Sequence, residues 1–443
     1  MRVVDVARLL NSTSFGFVLP QARLYREFNR VGFRIGSSEN PRNINLLKYI
    51  AWMFDRKHTP EETSGARSYE ERRNAERDRQ AEQSLAGRDI GPLPEVVNPD
   101  RKAACERNFQ LFCESYFPET YSLAWSPDHL KVIEKIETAV LRGGLFALAL
   151  PRGSGKTTIT ESAALWSMLY GHREFVVLIG ATESAALELL DSLKTELEVN
   201  ERLAEDFPEV CYPVAQLEGI ANRCAGQLYK GERTRITWTS NEIVLPTVEG
   251  SRASGIIVRV AGITGRIRGM KFKRSDGRSV RPSLVVIDDP QTSESAGSLE
   301  QTRKRVRVLA GDILGLAGPG QKISGIMPCT IIRPGDMADI ILNRNTHPDW
   351  NGEKTRMVYR FPTNMKLWEE YAEIRAEALR TEGNFQKATE FYLANREAMD
   401  AGAEVSWEAR FNHDEVSALQ HAMNLKFQDE AAFQSEYVRQ EVV

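Results

Sequence analysis

The chain has 443 residues, 42% of them hydrophobic and 27% charged, and its formal net charge is −3 at pH 7. This composition is typical of globular proteins, and the length predicts two or three folding units. No apolar run approaches the length of a membrane span, the N-terminus MRVVDVARLL does not resemble a signal peptide, and the five cysteines form no CxxC pair. We therefore expect a soluble intracellular protein without a membrane partner, a zinc site or a disulfide framework.

Residues 1–57 are predicted to form a small basic helical unit, with ten Lys or Arg residues and four acidic ones. VVDVARLLN predicts a short helix, and PQARLYREFNRVG predicts a second helix that carries Arg23, Arg26 and Arg30 on one face. This arrangement is compatible with a helix-turn-helix that reads DNA. A basic helical tail that packs only against its own protein is the alternative.

Residues 58–100 are predicted to be a charged linker, because RSYEERRNAERDRQAEQ alternates charge without an apolar stripe. In residues 101–362, helical segments alternate with apolar strand segments, which are LFALALP, EFVVLIGA, TRITWTS, EIVLP, IIVRVAG, SLVVIDD, KISGIMPCT and TRMVYRFPT. This alternation predicts an α/β fold with a mostly parallel sheet covered by helices on both faces. After residue 363 we expect the strands to stop, so residues 363–443 are predicted to be a helical subdomain.

The segment LPRGSGKTT has the features of a phosphate-binding loop, because small residues lie between a strand and a helix. Its candidate nucleotide contacts are Arg152, Gly153, Ser154, Gly155, Lys156, Thr157 and Thr158. Lys156 would reach the β- and γ-phosphates, and the hydroxyl of Thr157 would bind Mg²⁺. The first glycine of the strict GxxxxGK[ST] pattern is replaced by Leu150, and a glycine turn without a ligand is the alternative.

A second motif, PSLVVIDDP, runs from an apolar strand into two adjacent carboxylates. Such a strand end cannot bury both carboxylates without a cation or hydrogen-bond donors. Asp288 is predicted to bind the metal, and Asp289 to act as the base or to position the attacking water, with Glu294 as a reserve candidate. An N-cap or a surface pair of acids is the alternative. Arg152 would neutralise transition-state charge in cis, or would instead hold the loop to a neighbouring carboxylate.

Together and in this order, these motifs resemble the ATPase half of the large terminase subunit of tailed bacteriophages, the motor that packages DNA into procapsids. The resemblance covers residues 105–443 and is carried by LPRGSGKTT, VVLIGATESAALELLDSLKTELEVNERLAEDFPEV, GITGRIRGMKF, RPSLVVIDDPQT, IMPCTIIRPGDMADIIL and ANREAMDAGAEVSWEARF. In that family the first glycine of the loop is often missing, as at Leu150. The resemblance implies an ASCE-type P-loop NTPase fold that binds ATP and Mg²⁺ and hydrolyses ATP.

The resemblance also implies roles for individual residues, with Arg152, Lys156, Asp289 and Thr330 as the catalytic set. Thr330 would sense the γ-phosphate and couple its loss to movement of the part that grips DNA.

The segment WSPDHL resembles the adenine side of the family's site, with Asp128 and His129 as candidates. A helix N-cap at Ser126 is the alternative. Full-length terminases continue into a nuclease domain of ribonuclease H type, and no segment after residue 363 resembles it. We therefore expect no DNA cleavage by this polypeptide.

Seven basic residues and one acidic residue in the segment 264–281 predict contacts to the DNA backbone, since a motor grips DNA without reading its sequence. The candidates are Arg266, Arg268, Lys271, Lys273 and Arg274. Contact with a nucleotide on a neighbouring subunit, or solvation alone, is the alternative. The resemblance implies double-stranded DNA, a portal protein, the small terminase subunit and a separate nuclease chain or domain as partners. It also implies assembly as a homo-oligomer on the portal in the host cytoplasm.

Two other functions remain open at this stage. A superfamily-two DNA helicase or remodelling ATPase would need a second recombinase-like α/β domain, for which residues 363–443 are too short and too helical. A non-enzymatic DNA-binding adaptor would use residues 1–57 and an inactive nucleotide fold. The intact Lys156 and the acidic pair at residues 288–289 argue against the adaptor.

Overall fold

The computed structural model describes residues 1–12, 43–58, 88–274, 276–434 and 437. The chain divides into two compact units, Met1–Gln80 and Ala81–Val443. Within the described ranges, none of the helices has both the length and the apolar character that a membrane crossing requires.

The first unit contains helices α1 (Val3–Asn11) and α2 (Leu46–His58). Backbone groups of Met1 and Ile44 join the segments that precede these helices, with the Met1 amino group donating to the Ile44 carbonyl at 2.9 Å. The segment predicted to carry the arginine face, Arg23, Arg26 and Arg30, lies outside the described residues, as does most of the predicted linker.

The second unit contains the remaining elements. Its helices are α3 (Pro99–Cys105), α4 (Phe109–Tyr116), α5 (Pro127–Leu141), α6 (Lys156–Leu169), α7 (Glu183–Val199), α8 (Glu201–Asp206), α9 (Pro208–Ala215), α10 (Ser293–Ala296), α11 (Leu299–Val308), α12 (Met337–Leu342), α13 (Met365–Glu382), α14 (Gln386–Ala394), α15 (Arg396–Asp400), α16 (Ala418–Gln428) and α17 (Glu430–Phe433). Its strands are β1 (Leu145–Ala149), β2 (Phe175–Gly180), β3 (Leu228–Tyr229), β4 (Glu232–Arg233), β5 (Thr237–Trp238), β6 (Glu242–Val244), β7 (Ile257–Gly262), β8 (Phe272–Lys273), β9 (Ser279–Val280), β10 (Leu284–Asp288), β11 (Ser324–Cys329), β12 (Glu353–Lys354), β13 (Val358–Arg360) and β14 (Glu404–Val405).

Eight of the strands form one sheet in the order β12-β1-β11-β10-β2-β7-β6-β5. The pairs from β12 to β7 are parallel, and the two pairs at one edge, β7 with β6 and β6 with β5, are antiparallel. The predicted α/β class with a mostly parallel sheet flanked by helices is therefore confirmed.

Strand β2 shows why these apolar runs become central strands. Its side chains alternate between the two faces of the sheet. Val176 and Leu178 belong to one hydrophobic core, while Phe175, Val177 and Ile179 belong to the core on the other face. Because both faces are covered, every residue of the strand is buried, and burial of each large side chain stabilises the fold by about 1.5–3 kcal/mol.

Two expectations about the strands near the C-terminus are wrong. The strand expected from TRMVYRFPT forms as β13, but it pairs antiparallel with β14 in a separate small sheet instead of joining the main one. Strand β14, Glu404–Val405, also shows that strands do not stop after residue 363. These pairings are too short to leave an apolar pattern in the sequence. The sheet edge next to β1 is instead taken by β12.

The region after residue 363 is mainly helical, as expected. Trp368, Tyr371, Tyr392 and Met399 are fully buried there and form a core that packs helices α13, α14 and α15 together. The indole of Trp368 donates to the carbonyl of Met399 at 2.8 Å, which satisfies its one polar atom inside this core.

Candidate active site

The predicted site residues lie at the carboxyl ends of three strands. Strand β11 lies between β1 and β10, and all three are parallel, so their carboxyl ends meet at one edge of the sheet. The glycine loop (residues 150–156) follows β1, Thr330 follows β11, and the acidic pair lies at the end of β10. This edge is where open α/β sheets generally bind ligands.

The glycine loop turns sharply from β1 into helix α6. Gly153 and Gly155 have φ angles of +74° and +73°, a region that side chains disfavour, and Gly155 is the N-cap of α6. The Ser154 hydroxyl donates to the carbonyl of Pro151 at 2.7 Å and fixes the turn. The first N–H groups of a helix have no partner within the helix, so α6 presents donors to an anion at this position.

Lys156 connects the glycine loop to both neighbouring strand ends. Its Nζ atom donates to the hydroxyl of Thr330 and lies 3.2 Å from Oδ2 of Asp289. The lysine side chain is 11% exposed, so its charge is held mostly out of water, whereas the carboxylate of Asp289 is 43% exposed. The ammonium group therefore occupies the position from which it can bind a phosphate placed over the loop.

Thr157 and Asp288 form the second contact between the loop and the acidic strand. The Thr157 hydroxyl donates to both carboxylate oxygens of Asp288, at 3.3 and 3.1 Å. Burial raises the pKa of Asp288 to about 6, and the charge of Asp289 acts in the same direction, against smaller opposing effects of Thr157 and Lys156. A buried carboxylate with a raised pKa gains from a cation that would replace its lost hydration.

Asp289 has a strained backbone. Its φ angle is +35°, which is uncommon for a residue with a side chain, and its N–H donates to the carbonyl of Pro328 at 3.1 Å. Such a conformation costs of order 1–3 kcal/mol and persists only where the surroundings enforce it. Here the strain turns the second carboxylate away from the strand and toward Lys156.

The residues at this edge fit a magnesium ion that is also coordinated by phosphates and water. They do not fit a metal that is coordinated by protein side chains alone. In the described part of the chain, no group of three or more His, Cys, Asp or Glu side chains is arranged to hold a metal. Mg²⁺ commonly uses one or two carboxylates and completes its coordination with waters and substrate phosphates. Asp288 with the Thr157 hydroxyl is such a donor set.

The segment WSPDHL forms the helix N-cap that was left open as an alternative. The Ser126 hydroxyl accepts from the N–H of His129 at 3.2 Å, and Nδ1 of His129 accepts from the N–H of Ser126 at 3.3 Å. The proton is therefore on Nε2, which lies 3.0 Å from the carbonyl of Ser154 and donates to it. Burial lowers the pKa of His129, so the ring is neutral near pH 7 and anchors the glycine loop.

A cavity of about 560 Å³ lies beside this helix start. Three aromatic side chains line it, those of Trp125, Tyr359 and Trp407, together with Asp128. The Tyr359 hydroxyl donates to the carboxylate of Asp128 at 2.7 Å. Glu404, Glu408 and Lys131 also line the cavity. The volume is within the range of small-molecule sites, and aromatic walls with carboxylates suit a planar group that carries hydrogen-bond donors.

Sequence reasoning missed Arg410, which reaches the glycine loop from the segment after β14. Its Nη2 atom donates to the carbonyl of Arg152 at 2.5 Å, and its guanidinium lies over the ring of Tyr437 at 5.6 Å. A Cβ atom built on Gly153 would lie 2.8 Å from the same nitrogen, so only glycine allows this approach. Burial lowers the pKa of Arg410. A lone arginine in a loop carries no signal that could have identified it.

Glu161, one helical turn after Thr157, is a second residue that the sequence did not reveal. Burial raises its pKa to about 7, and the charge of Asp288 adds to this shift. Beside Asp288, the site therefore contains a second carboxyl group whose raised pKa makes its protonation change near neutral pH.

Several predicted residues lie apart from this cluster. The Arg152 side chain is exposed. The backbone carbonyl of Thr158 accepts a hydrogen bond from the Tyr121 hydroxyl at 3.1 Å. Glu294 is exposed in helix α10, and none of its described contacts is with the residues at the strand ends.

The DNA-binding candidates do not share one environment, because part of their segment forms a hairpin of β8 and β9. Arg268 pairs with Asp312, and Arg274 lies 3.8 Å from Glu174 and donates to the carbonyl of Gly255. Arg266, Arg268, Lys271 and Lys273 are exposed, and Arg274 is the partly buried member of the set.

Comparison with protein-family models and with curated proteins finds no match to this chain. The assignment of a function therefore depends on the residues and the geometry at the carboxyl edge of the sheet.

Proposed function

We propose that the chain is the ATP-hydrolysing motor of viral DNA packaging, which translocates double-stranded DNA into a procapsid in the host cytoplasm. The observation that carries the proposal is the meeting of Lys156, Thr157, Asp288 and Thr330 at one sheet edge. A lysine, a hydroxyl next to it and a carboxylate at the end of a second strand are the parts that a P-loop NTPase uses. The resemblance to terminases supplies the biological setting.

The order of the strands supports an ASCE-type P-loop fold. The name of this type refers to an additional strand, and here β11 is inserted between β1 and β10. The insertion has a chemical consequence, because it places Thr330 between the lysine of one strand end and the carboxylates of the other. The Thr330 hydroxyl contacts Lys156 directly, so a phosphate bound by the lysine would be within reach of it.

Each residue of the cluster then has one task in ATP hydrolysis. The helix start and Lys156 bind the β- and γ-phosphates, and Asp288 with Thr157 holds Mg²⁺. Mg²⁺, when bound, neutralises charge on the phosphate oxygens. Asp289 orients the attacking water, and its exposed carboxylate and enforced backbone turn suit that task. Thr330 registers the γ-phosphate. The exposed side chain of Arg152 lies outside the cluster and would have to turn toward the γ-phosphate to neutralise charge in cis.

Double-stranded DNA is the proposed substrate, and a portal protein, the small terminase subunit and a separate nuclease chain or domain are the proposed partners. Assembly as a homo-oligomer on the portal belongs to the same proposal. The direct contact between the glycine loop and Arg410 supports coupling, because it links the nucleotide site to the segment between β14 and α16. A shift of this segment on hydrolysis would move the mostly helical C-terminal region against the sheet.

Phosphate release from ATP in the presence of Mg²⁺, with no DNA, duplex DNA or single-stranded DNA, tests the proposal. A packaging motor hydrolyses ATP and is stimulated by duplex DNA. A helicase responds to single-stranded DNA instead, and an adaptor with an inactive nucleotide fold releases no phosphate in any of the three conditions.

A further inference from the structure

A second cavity, of about 650 Å³, lies at the opposite edge of the sheet from the candidate active site. Its walls come from the segments that lead into three parallel strands. Arg173 and Glu174 precede β2, Arg281 precedes β10, and Lys322 precedes β11. Because the amino ends of parallel strands meet at one edge, these distant segments converge there, and the cavity is separate from the nucleotide site.

The lining of this cavity is strongly cationic. It contains four Arg or Lys side chains and a single carboxylate, that of Glu174. Arg278 forms an ion pair with this carboxylate, and its Nη2 atom lies 3.2 Å from Oε1 of Glu174. Arg281 and Lys322 are exposed and form no hydrogen bond or ion pair with any other described residue. The cavity therefore holds positive charge that the described part of the protein does not neutralise.

Two of the cationic side chains are held in place by their surroundings. Arg173 donates to the carbonyls of Val140 and Ala139, both at 2.7 Å, at the end of helix α5. The stem of Arg281 lies against Gly318, whose φ angle is +81° and where an added Cβ would lie 2.8 Å from the Arg281 Cδ atom. The glycine thus leaves room for the arginine stem at the wall of the cavity.

The cationic surface continues from the cavity along the β8–β9 hairpin. In this hairpin Lys273 pairs with Ser279. Ser279 also lines the cavity, so the hairpin continues the cavity wall. Lys271 and Arg281 flank the two short strands and are exposed, as Lys273 is, whereas Val280 is buried in the core. Neither lysine has a hydrogen-bond or ion-pair partner within the described residues. We call Lys271, Lys273, Arg281 and Lys322 the cationic strip.

We propose that the cationic strip binds the sugar–phosphate backbone of double-stranded DNA, at a site separate from the nucleotide site. The ligand chemistry is that of phosphate oxyanions, for which arginine and lysine are the usual partners. A free phosphate would contact only the cavity, whereas the strip also extends along the hairpin. The repeated charges of a duplex can neutralise all four side chains together. The choice of duplex DNA over other polyanions rests on the proposed function.

The test is the binding of a fluorescein-labelled DNA duplex of mixed sequence to the full chain, measured by anisotropy over a series of salt concentrations without nucleotide. The double variant Arg281→Ala/Lys322→Ala is expected to bind more weakly. It is also expected to lower the magnitude of the slope of log K against log salt by about 2, since each lost phosphate contact removes about one released counterion. The variant Lys271→Ala/Lys273→Ala should lower the slope similarly.

A matched control removes the same two charges outside the strip. Arg233 and Lys366 are exposed and likewise have no ion-pair partner in the described part of the chain, so Arg233→Ala/Lys366→Ala should keep the slope of the wild type. A wild-type slope in both strip variants would overturn the proposal, as would equal losses in the strip variants and the control. The binding assay contains no nucleotide, so its result does not depend on ATP hydrolysis. DNA binding by the strip can therefore be found even if the chain does not hydrolyse ATP.

Inorganic phosphate, added at constant ionic strength, separates the two sources of phosphate. If the strip binds duplex DNA, phosphate at millimolar concentration leaves the DNA bound. The opposite result has two parts: phosphate displaces the DNA, and phosphate raises the thermal unfolding midpoint of the wild type more than that of Arg281→Ala. The cavity would then be a site for free phosphate, and the assignment to duplex DNA would be wrong.

Discussion

The Nη2 atom of Arg410 lies 2.5 Å from the carbonyl oxygen of Arg152, so a side chain from the segment after β14 is bonded directly to the glycine loop. Arg410 forms no ion pair with any described carboxylate. Among the described residues, this carbonyl and the ring of Tyr437 are the groups that contact its guanidinium, and burial lowers its pKa. A triphosphate bound over the loop would supply the negative charge that this arginine lacks.

The first prediction concerns Arg410→Ala. We expect the KM for ATP to rise by about tenfold or more, because a phosphate contact and the position of the loop are lost together. The thermal unfolding midpoint should not fall, because the variant removes a buried charge without a carboxylate partner. Steady-state phosphate release and thermal unfolding are the two measurements.

Arg360→Ala is the matched control for Arg410→Ala. Arg360 is 71% exposed and pairs with Glu404 at the surface, so its loss should leave both measurements near those of the wild type. A purely structural Arg410 would instead lower the unfolding midpoint and leave the KM for ATP unchanged.

Asp288→Asn separates metal binding from stability. The amide oxygen can still accept from the Thr157 hydroxyl, so the local hydrogen bond is kept, while the buried charge is removed. We expect the unfolding midpoint to stay the same or rise, and Mg²⁺-dependent hydrolysis to fall by a factor of about 10² or more. Titration of nucleotide binding with and without Mg²⁺ checks the cause. Wild-type turnover in this variant would contradict the assigned role of Asp288.

Glu161→Gln gives a prediction with a defined pH dependence. Burial raises the pKa of Glu161 from 4.5 to about 7, so the folded state favours the proton more than the unfolded state does. For such an acid, stability is greatest at low pH and is lost as the pH rises through the folded pKa. The wild type should therefore be less stable than the variant at pH 8.5 by roughly 1–3 kcal/mol. The difference should be clearly smaller at pH 5.5, and it should vanish only below the unfolded pKa of 4.5.

Urea unfolding of both proteins at the two pH values measures this difference. A constant difference in the free energy of unfolding at pH 5.5 and pH 8.5 would show that the charge of Glu161 is not the cause.

Much of the site follows from local patterns in the sequence. The apolar run LFALALP ends at Pro151 and is followed by small residues, and the run SLVVIDD ends in two carboxylates. The sequence alone therefore predicts where both strands end. Because parallel strands share their carboxyl edge, the meeting of Lys156 with the acidic pair was expected before the structure. The contact of Lys156 with Thr330 does not follow from these local patterns, since the position of β11 between the other two strands is set by the whole sheet.

Other features have no local signal. Arg410 reaches the glycine loop through the path of a surface segment, and Arg281 and Lys322 meet only because their strands are neighbours in the sheet. Strand β14 consists of two residues, which is too short for a periodic pattern. The basic character of the segment 264–281 is visible in the sequence, but the ion pairs of Arg268 with Asp312 and of Arg278 with Glu174 depend on the fold.

The central claim is that Lys156 binds the phosphates of ATP at the edge where β1, β10 and β11 end. The most direct measurement is phosphate release by Lys156→Ala in the presence of Mg²⁺ and duplex DNA, beside Lys366→Ala, which removes an exposed lysine elsewhere. The proposed function predicts that the first variant loses hydrolysis by a factor of about 10² or more while the second keeps the wild-type rate. Hydrolysis by Lys156→Ala at the wild-type rate would contradict it.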